Sequence, residues 1–442
     1  MVEMPGAGPF SRRGFLKVSA LGIGAVALGT GVAACSQGSA GGGSTAANGR
    51  KQINFVTAKF TSTTSMQSFV DVYNKSQAKY QVVVRELPPP SSSTEVHQQL
   101  VQQLGSTSGA IDVFTQDVIW VAEFASAGWA MNLDKEFSDK DRSGFFKGLV
   151  DACTYNGKFS ALPFYLDAGQ LYYRTDLLKS AGLAVPATWD ELTKASQQLM
   201  AQGAKLGFLW QAKQAEVLVC NLVEFVGSSG GSILGPDGKT VQIAEPKAIE
   251  AVKYMHDTMN SLKITPKDVL SWDEEPSRKP FTGGDAAFLR QWSYVWGLSQ
   301  DASQSKVVGK VGVAPLPAFP GGKSAACLGG YQLGIAESSK NKDGALGFVR
   351  WMTTEATQLA YAEQFGSAPA LQAAYDNPKL KATQPSMVAL KSTFQGGTPR
   401  PVTPKYPQVS LALQSAISGA LNSGNVESAL KDVKSKIEAI VS

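Results

Sequence analysis

The chain has 442 residues, is 43% hydrophobic and carries a formal net charge of +5 at pH 7. This length suggests roughly two domains, and the hydrophobic content is sufficient to build their cores. The small net charge, without a stripe of basic residues, argues against a nucleic-acid partner.

The first fifty residues are typical of an export signal followed by a tether. Twin arginines, Arg12 and Arg13, precede a short apolar run over 18–32, which predicts a twin-arginine signal peptide over 1–34. The run is too short and too rich in Gly and Ala for a membrane-spanning helix. It ends in Val-Ala-Ala-Cys, which resembles a bacterial lipobox, so we expect Cys35 to carry lipid on the outer face of the cell membrane. The alternative is a soluble signal peptide with an incidental cysteine. Residues 35–50, rich in Gly, Ser and Ala, are predicted to be a flexible linker.

Strand and helix patterns alternate along the rest of the chain, which predicts an α/β fold with open, mostly parallel sheets. Alternating or apolar runs predict strands over 53–57, 82–87, 111–114, 158–163, 170–174, 207–210, 286–289, 311–315 and 331–336. Helical periodicity predicts helices over 66–73, 96–104, 122–127, 248–259, 344–352 and 409–440, and a further helix is predicted to open within 186–192. Thr188 and Glu191 form a predicted capping box.

The stretch from Lys158 to Gly182 is the predicted crossing between two domains. A strand passes Pro163, a second strand rich in aromatics follows, and a short helix capped by Asp176 is expected to end at Gly182. Clefts at such hinges are favoured ligand sites.

The pattern P-x(7)-L-Y-Y-R-x-D-L-x(4)-G in this stretch resembles the inter-lobe crossing of extracellular solute-binding proteins of sugar-importing ABC transporters. Further marks of that family follow the same order, namely D-V-F-T-Q-D at 112–117, P-A-T-W-D-E-L at 186–192, G-V-A-P-L-P at 312–317 and G-G-Y-Q-L-G-I-A at 329–336. The resemblance implies a type II periplasmic-binding-protein-like fold with a ligand cleft between two lobes. Lobe 1 would comprise 51–163 and 325–366, and lobe 2 would comprise 164–324 and 367–442.

The resemblance also implies a function. The protein would bind a disaccharide or short oligosaccharide as a monomer and deliver it to ABC permease subunits, without catalysis, cofactor or metal. The stretch over 117–129 resembles trehalose- and maltose-binding members, including lipoproteins of actinobacteria. Matching positions imply these ligand-binding residues: Asp117, Trp120, Asp167, Glu275, Trp292, Gly330, Tyr331 and Arg400. Asp117 could instead cap a helix, Asp167 could be a turn residue, and Trp292 could pack in a core.

Two other functions remain open on the sequence alone. Adjacent acids such as Asp273, Glu274 and Glu275 permit a secreted glycoside-active enzyme, because glycosidases use two carboxylates. A binding protein for a non-sugar ligand, such as a glycerophosphodiester, is the other alternative. After Cys35 the chain has three cysteines, Cys153, Cys220 and Cys327, which allow at most one internal disulfide, and the sequence does not tell which pair would form it.

Overall fold

A computed structural model describes residues 45–46, 48–60, 62, 64–106, 108–235 and 237–442. These residues lie within one compact unit spanning 43–442. The signal peptide predicted over 1–34, Cys35 and most of the linker predicted over 35–50 lie outside the described residues. No helix in the described part of the chain has the length and apolar character needed to cross a membrane.

Most strands of the described residues fall close to their predicted positions, but the short strands over 154–155, 165–168, 328–329 and 368–369 were not predicted. In chain order they are β1 (Lys51–Ala58), β2 (Tyr80–Leu87), β3 (Val113–Asp117), β4 (Thr154–Tyr155), β5 (Lys158–Phe159), β6 (Leu162–Pro163), β7 (Tyr165–Ala168), β8 (Gln170–Arg174), β9 (Leu206–Leu209), β10 (Ala286–Gln291), β11 (Val311–Ala314), β12 (Leu328–Gly329), β13 (Tyr331–Ile335) and β14 (Ala368–Pro369).

The helices pack around these strands. In chain order they are α1 (Met66–Ser76), α2 (Ser93–Leu104), α3 (Val121–Ser126), α4 (Asp139–Arg142), α5 (Lys147–Ala152), α6 (Thr175–Ala181), α7 (Trp189–Ala201), α8 (Glu216–Ser228), α9 (Pro246–Met259), α10 (Glu274–Thr282), α11 (Val295–Gln300), α12 (Lys342–Met352), α13 (Glu355–Phe365), α14 (Pro378–Thr383), α15 (Pro385–Ala389), α16 (Lys391–Gln395), α17 (Tyr406–Ser423) and α18 (Val426–Val441).

Two larger sheets carry the fold, and both are mixed. The first has the order β2-β1-β3-β13-β6, in which β1 pairs parallel with β2 and β3, whereas β13 is antiparallel to β3 and β6. The second has the order β11-β8-β10-β9, in which β8 is antiparallel to both neighbours. The prediction of mostly parallel sheets is therefore wrong. Strands β8 and β13, which follow the crossings between the sheets, run against their neighbours.

A small three-stranded sheet, β12-β7-β14, joins the two halves of the molecule. Its central strand pairs antiparallel on one side with Leu328 and Gly329 and on the other with Ala368 and Pro369. Three crossings of the chain therefore run side by side. The predicted crossing near Pro163 is one of them, and the sheet holds all three in a fixed register.

The buried apolar residues form two large clusters, which agrees with two lobes. The first cluster draws on residues 53–168 and 326–394, and the second on residues 171–319 and 409–441 together with Cys327. Residues 368–394 pack in the first cluster, whereas the sequence assigned 367–442 to lobe 2. We retain the division into lobes as a prediction, with this boundary moved towards residue 395.

Local signals explain several element ends. The Thr188–Glu191 capping box is present at the start of α7, and Gly182 ends α6 with φ 67°, as predicted. Asp176 does not cap α6, because its carboxylate receives two hydrogen bonds from the Arg174 guanidinium at 2.7 and 2.6 Å. The helix predicted over 409–440 is two helices, since Gly424 adopts φ 78° between α17 and α18.

Candidate ligand-binding site

A cavity of about 320 Å³ lies where residues of both core clusters and of the three crossings meet. This volume is at the lower end of the roughly 300–1,000 Å³ that small-molecule sites occupy. Its aromatic lining residues are Phe60, Tyr165, Trp292, Tyr294, Tyr331 and Phe365, and its charged lining residues are Asp117, Asp167, Glu216, Glu274, Glu275 and Arg400. The remainder of the lining includes Pro89, Pro90, Gly329 and Gly330.

Arg400 connects the first sheet to helix α8 inside this cavity. Its Nη2 donates to Asp117 at 2.6 Å, and its Nη1 donates to Glu216 at 2.8 Å. Asp117 ends β3, and its Oδ1 also accepts from the Ile119 backbone N–H at 3.3 Å, so the carboxylate is both an ion-pair partner and a helix cap. The side chain of Arg400 is only 2% exposed, and its Nε has no hydrogen-bond partner among the described residues.

Asp167 lies on the central crossing strand with one carboxylate oxygen occupied. Oδ1 accepts from the backbone N–H groups of Ala168 and Ser293 at 2.9 and 3.0 Å, which fixes the carboxylate in place. Oδ2 makes no hydrogen bond to any described residue and belongs to a residue that lines the cavity. Burial outweighs those hydrogen bonds and raises the pKa of Asp167 to about 6.

Two adjacent glutamates at the start of α10 differ in their partners. Glu275 is held by the Arg278 guanidinium at 2.6 Å and by the Tyr294 hydroxyl at 2.8 Å. Glu274 Oε1 accepts from Trp292 Nε1 at 3.4 Å, but its Oε2 is sealed from solvent and has no partner among the described residues. Burial raises the pKa of Glu274. Glu274 is therefore the member of the pair with an unused acceptor, whereas the sequence singled out Glu275.

Aromatic rings form two walls of the cavity. Tyr331 lies nearly parallel to Tyr165, with ring centroids 6.1 Å apart, and Phe60 meets both rings edge-on. The Tyr331 hydroxyl is buried without a partner in the described structure. The Trp292 ring, also in the lining, lies against Gly329, where an added Cβ would come within 3.2 Å of it.

A buried ion pair between Arg290 and Glu224 packs against the Trp292 ring. The Arg290 guanidinium lies 4.0 Å from the Trp292 ring centroid, and its Nε donates to Glu224 at 2.7 Å. Both side chains are 1% exposed. Glu224 also accepts from the backbone N–H of Cys327 at 3.2 Å, and a Cβ at Gly169 would lie 2.0 Å from the same carboxylate oxygen. This pair therefore touches two of the three crossings.

Gly330 provides the close approach between two crossings. Its φ is 100°, and an added Cβ would lie 2.4 Å from the Tyr165 carbonyl oxygen. Its own carbonyl accepts from the Val118 N–H at 3.3 Å, so it also ties the crossing to the residue after Asp117. Only glycine accommodates both the positive φ and the close approach to the Tyr165 carbonyl oxygen without strain.

The structure brings together seven of the eight predicted residues, all except Trp120. Trp120 is 2% exposed, absent from the cavity lining, and packs edge-on against Tyr331 and beside His97. The direct ligand contact predicted for Trp120 is therefore not retained, because its ring is buried against Tyr331 and does not line the cavity. Glu216 and Tyr165 also line the cavity, although no family motif in the sequence marks them.

The charge of the cavity is strongly acidic. Among the described residues, five carboxylates line it against a single guanidinium, that of Arg400. In the described residues, no three or more His, Cys, Asp or Glu side chains are grouped so as to hold a metal ion. The arrangement can accept several hydroxyl donors and contact the apolar face of a ring, and it would repel an anion.

Comparisons with known proteins agree with this architecture. Residues 57–359 match the model of the family described as bacterial extracellular solute-binding protein. A probable ABC transporter-binding protein of Deinococcus radiodurans is 35% identical over 350 residues, which cover 77% of this chain and 82% of that protein. The mannitol-binding protein of Pseudomonas aeruginosa is 25% identical, over 72% of this chain and 74% of its own length.

Among solved structures, maltose-bound MalE3 of T. maritima superposes with a TM-score of 0.83 at 34% identity, covering 88% of this chain and 99% of that one. The two-lobe α/β fold predicted from the sequence is thereby confirmed. The proteins of this family bind solutes and are not enzymes. The family model covers most of the chain and the Deinococcus relative exceeds 30% identity, so the chain belongs to the bacterial extracellular solute-binding protein family.

Proposed function

We propose that the protein is the lipid-anchored substrate-binding subunit of an ABC importer, which binds a disaccharide or short oligosaccharide of the trehalose or maltose type. It holds the sugar in the cavity between the lobes and delivers it to the membrane permease. Cys35 carries the anchor on the outer face of the membrane, and the subunit acts as a monomer.

The observation that carries this proposal is that polar atoms without hydrogen-bond partners and aromatic rings belong to residues that line the same cavity. Among the described residues, Asp167 Oδ2 accepts no hydrogen bond, and Glu274 Oε2 and the Tyr331 hydroxyl have no partner. Sugar hydroxyls can donate to both carboxylates, while the Trp292 and Tyr165 rings, which line the cavity, can contact the C–H surface of a pyranose. A buried acceptor that gains such a donor recovers the roughly 1–3 kcal/mol lost when it is unpaired.

The ligands named for the relatives support a neutral polyol. MalE3 was solved with maltose, and the Pseudomonas relative is called a mannitol-binding protein. A glycerophosphodiester, the non-sugar alternative, carries a negative charge. Its phosphate would have to enter a cavity lined by five carboxylates, whose one guanidinium is already bound to Asp117 and Glu216.

Delivery to a permease requires that the liganded form differ from the empty one. Arg400 joins Asp117 of the first sheet to Glu216 of α8, and the three crossings meet at the small sheet. We propose that the lobes hinge about this sheet and close over the sugar, as domain closure around a ligand generally does. Small-angle scattering should show a smaller radius of gyration with bound sugar, and an unchanged radius at saturation would contradict closure.

Calorimetric titration tests the ligand. Maltose, trehalose, mannitol and glycerophosphocholine are titrated separately into the purified protein, and one of the two disaccharides should bind tightest. Asp167→Asn should weaken that binding about tenfold or more, because it removes a charged acceptor. Asp139→Asn is the matched control, since the Asp139 carboxylate is fully exposed on α4. Exclusive binding of glycerophosphocholine, or equal binding by the Asp167 variant, would overturn the proposal.

The anchor and export route are tested in cells. Cys35→Ala should release the protein from the membrane fraction, and changing Arg12 and Arg13 to Lys should stop export. Unchanged membrane retention in the first variant would refute the anchor, and normal export of the second would indicate the general secretory route.

A further inference from the structure

Two cysteines lie on chain segments that pack against each other beside the cavity. Cys220 is in α8, and Cys327 directly precedes β12 on the second crossing. The face of α8 that carries positions 220, 224 and 227 runs along this crossing. Glu224 accepts from the Cys327 N–H at 3.2 Å, and a Cβ at Gly227 would lie 2.9 Å from Ala325 Cβ.

The surroundings of the two thiols indicate that they are neighbours. Cys220 lies one helical turn before Glu224 on this face, so its side chain is directed towards the segment that contains Cys327. The Cys327 thiol, as hydrogen-bond partner, is the main cause that raises the pKa of Cys220, followed by burial. Both thiols also lie within electrostatic range of the guanidiniums of Arg290 and Arg400.

The third cysteine of the described chain is placed elsewhere. Cys153 belongs to the first core cluster, where its thiol contacts Gln332 Oε1 at 3.8 Å. Cys220 and Cys327 both belong to the second cluster. All three thiols are free in the structure, and of the three pairings that the sequence left open only Cys220 with Cys327 joins residues of one core cluster.

We propose that Cys220 and Cys327 form an intramolecular disulfide when the protein meets a disulfide oxidant outside the cytoplasm. The inference depends on the extracellular location of the family and not on the identity of the ligand. The bond would fasten helix α8 to the segment that leads into Gly329, Gly330 and Tyr331 of the cavity wall.

The chemistry is thiol–disulfide exchange with a small disulfide of the type RSSR. One cysteine thiolate attacks a sulfur of RSSR, the RS–SR bond breaks, and one RS⁻ leaves and takes up a proton. The second cysteine, deprotonated, then attacks the mixed disulfide and expels the second RS⁻. Two protein thiols are oxidised and RSSR is reduced to two RSH. Cys220 reacts first, because it lines the cavity, whereas Cys327 is fully buried.

Access and reactivity set the conditions of the test. Burial and a raised pKa leave little Cys220 thiolate at neutral pH, so exchange in the folded protein should be slow. The full chain with Cys35→Ala, which removes the thiol of the predicted anchor, is therefore oxidised in two ways. One sample is held folded with oxidised glutathione at pH 8.5, and the other is refolded from urea in a buffer of reduced and oxidised glutathione.

Each sample is denatured in acid, alkylated with N-ethylmaleimide and digested with trypsin without reduction. Peptides 214–239 and 324–340, which carry Cys220 and Cys327, should appear as one cross-linked species in the refolded sample. Peptide 148–158, which carries Cys153, should be alkylated. Alkylation of Cys220 and Cys327 after refolding, or a cross-link that includes Cys153, would overturn the proposal.

Thermal unfolding of oxidised and reduced protein gives a second readout. The disulfide would close the loop over residues 221–326, and a loop of this size should raise the midpoint of unfolding because it constrains the unfolded chain. The difference in unfolding midpoint between oxidised and reduced protein should persist in Cys153→Ser and vanish in Cys220→Ser. Cys220→Ala replaces the latter if the serine variant does not fold. A difference that persists without Cys220 would refute the assignment.

Discussion

Replacing Glu274 with Gln should make the empty protein more stable and its sugar complex weaker. Gln has the shape of Glu, and its Oε1 can still accept from Trp292 Nε1 at the 3.4 Å seen for Glu274. The change replaces the sealed, unpartnered Oε2 with a neutral group. An unpaired amide also costs about 1–3 kcal/mol when buried, but an unpaired charge costs more, so the free energy of unfolding should still rise, by roughly 1–3 kcal/mol.

The pH dependence of this gain follows from the raised pKa of Glu274. A carboxylic acid whose pKa is raised on folding favours the folded state while protonated, and that contribution is lost as pH rises through the folded-state pKa. The gain from Gln should therefore be large at pH 8 and small at pH 4.

Loss of a hydrogen bond to a charged group, worth about 1.5–3 kcal/mol, should weaken sugar binding roughly tenfold to hundredfold.

Urea unfolding of the empty protein at pH 4 and pH 8 measures the first effect, and calorimetric titration with the sugar that binds wild type measures the second. Glu275→Gln is the matched control, because that carboxylate is paired with Arg278 and Tyr294. It should lower the free energy of unfolding. If Glu274→Gln lowers it as well, or leaves sugar affinity unchanged, Glu274 is not an unpaired acceptor of the ligand site.

Three further predictions use the same assays. Burial raises the pKa of Asp167 to about 6, so the empty protein should lose roughly 3 kcal/mol of stability as pH rises from about 4 to 6, at about 1.4 kcal/mol per pKa unit. Asp167→Asn should remove this pH dependence of stability, and an equal dependence in both proteins would contradict the prediction. Gly330→Ala should destabilise far more than Gly309→Ala, because both have positive φ but only Gly330 faces backbone within 2.4 Å, and equal losses in urea unfolding would refute the clash. Arg290→Met should lower the free energy of unfolding by about 3–5 kcal/mol, because it leaves the Glu224 charge buried and unpaired. Adding Glu224→Gln should recover part of this loss. A double variant less stable than Arg290→Met alone would argue against the ion pair.

The sequence was most informative where local chemistry decides the structure. Strand and helix patterns located most elements within a few residues, because apolar periodicity reflects which face is buried. Capping by Thr188 and termination at Gly182 needed only neighbouring residues. The position of Asp117 at the end of a buried strand and of Asp167 on a crossing followed from the family motifs, and both lie at the cavity.

The rest depended on long-range packing that no local pattern encodes. Glu274 and Glu275 are adjacent on a helix, so their side chains point about 100° apart, and only the tertiary structure shows which one lacks a partner. Trp120 follows Asp117 by three residues, but the intervening 3₁₀ turn directs its ring beneath Tyr331. The pairing of Arg400 with Asp117 spans 283 residues, beyond the reach of any sequence period.

The ion pair beneath Trp292 has a consequence for how this protein can diverge. Glu224 and Arg290 neutralise each other where both side chains are buried, and Gly169 must stay small because Glu224 occupies the space of a side chain there. A lineage that changed one of the three positions alone would keep a buried charge or a steric clash. Homologues should therefore vary at these three positions together, while the aromatic and acidic residues above them change freely as new sugars are acquired. An alignment in which Glu224 persists opposite neutral residues at position 290 would contradict this linkage.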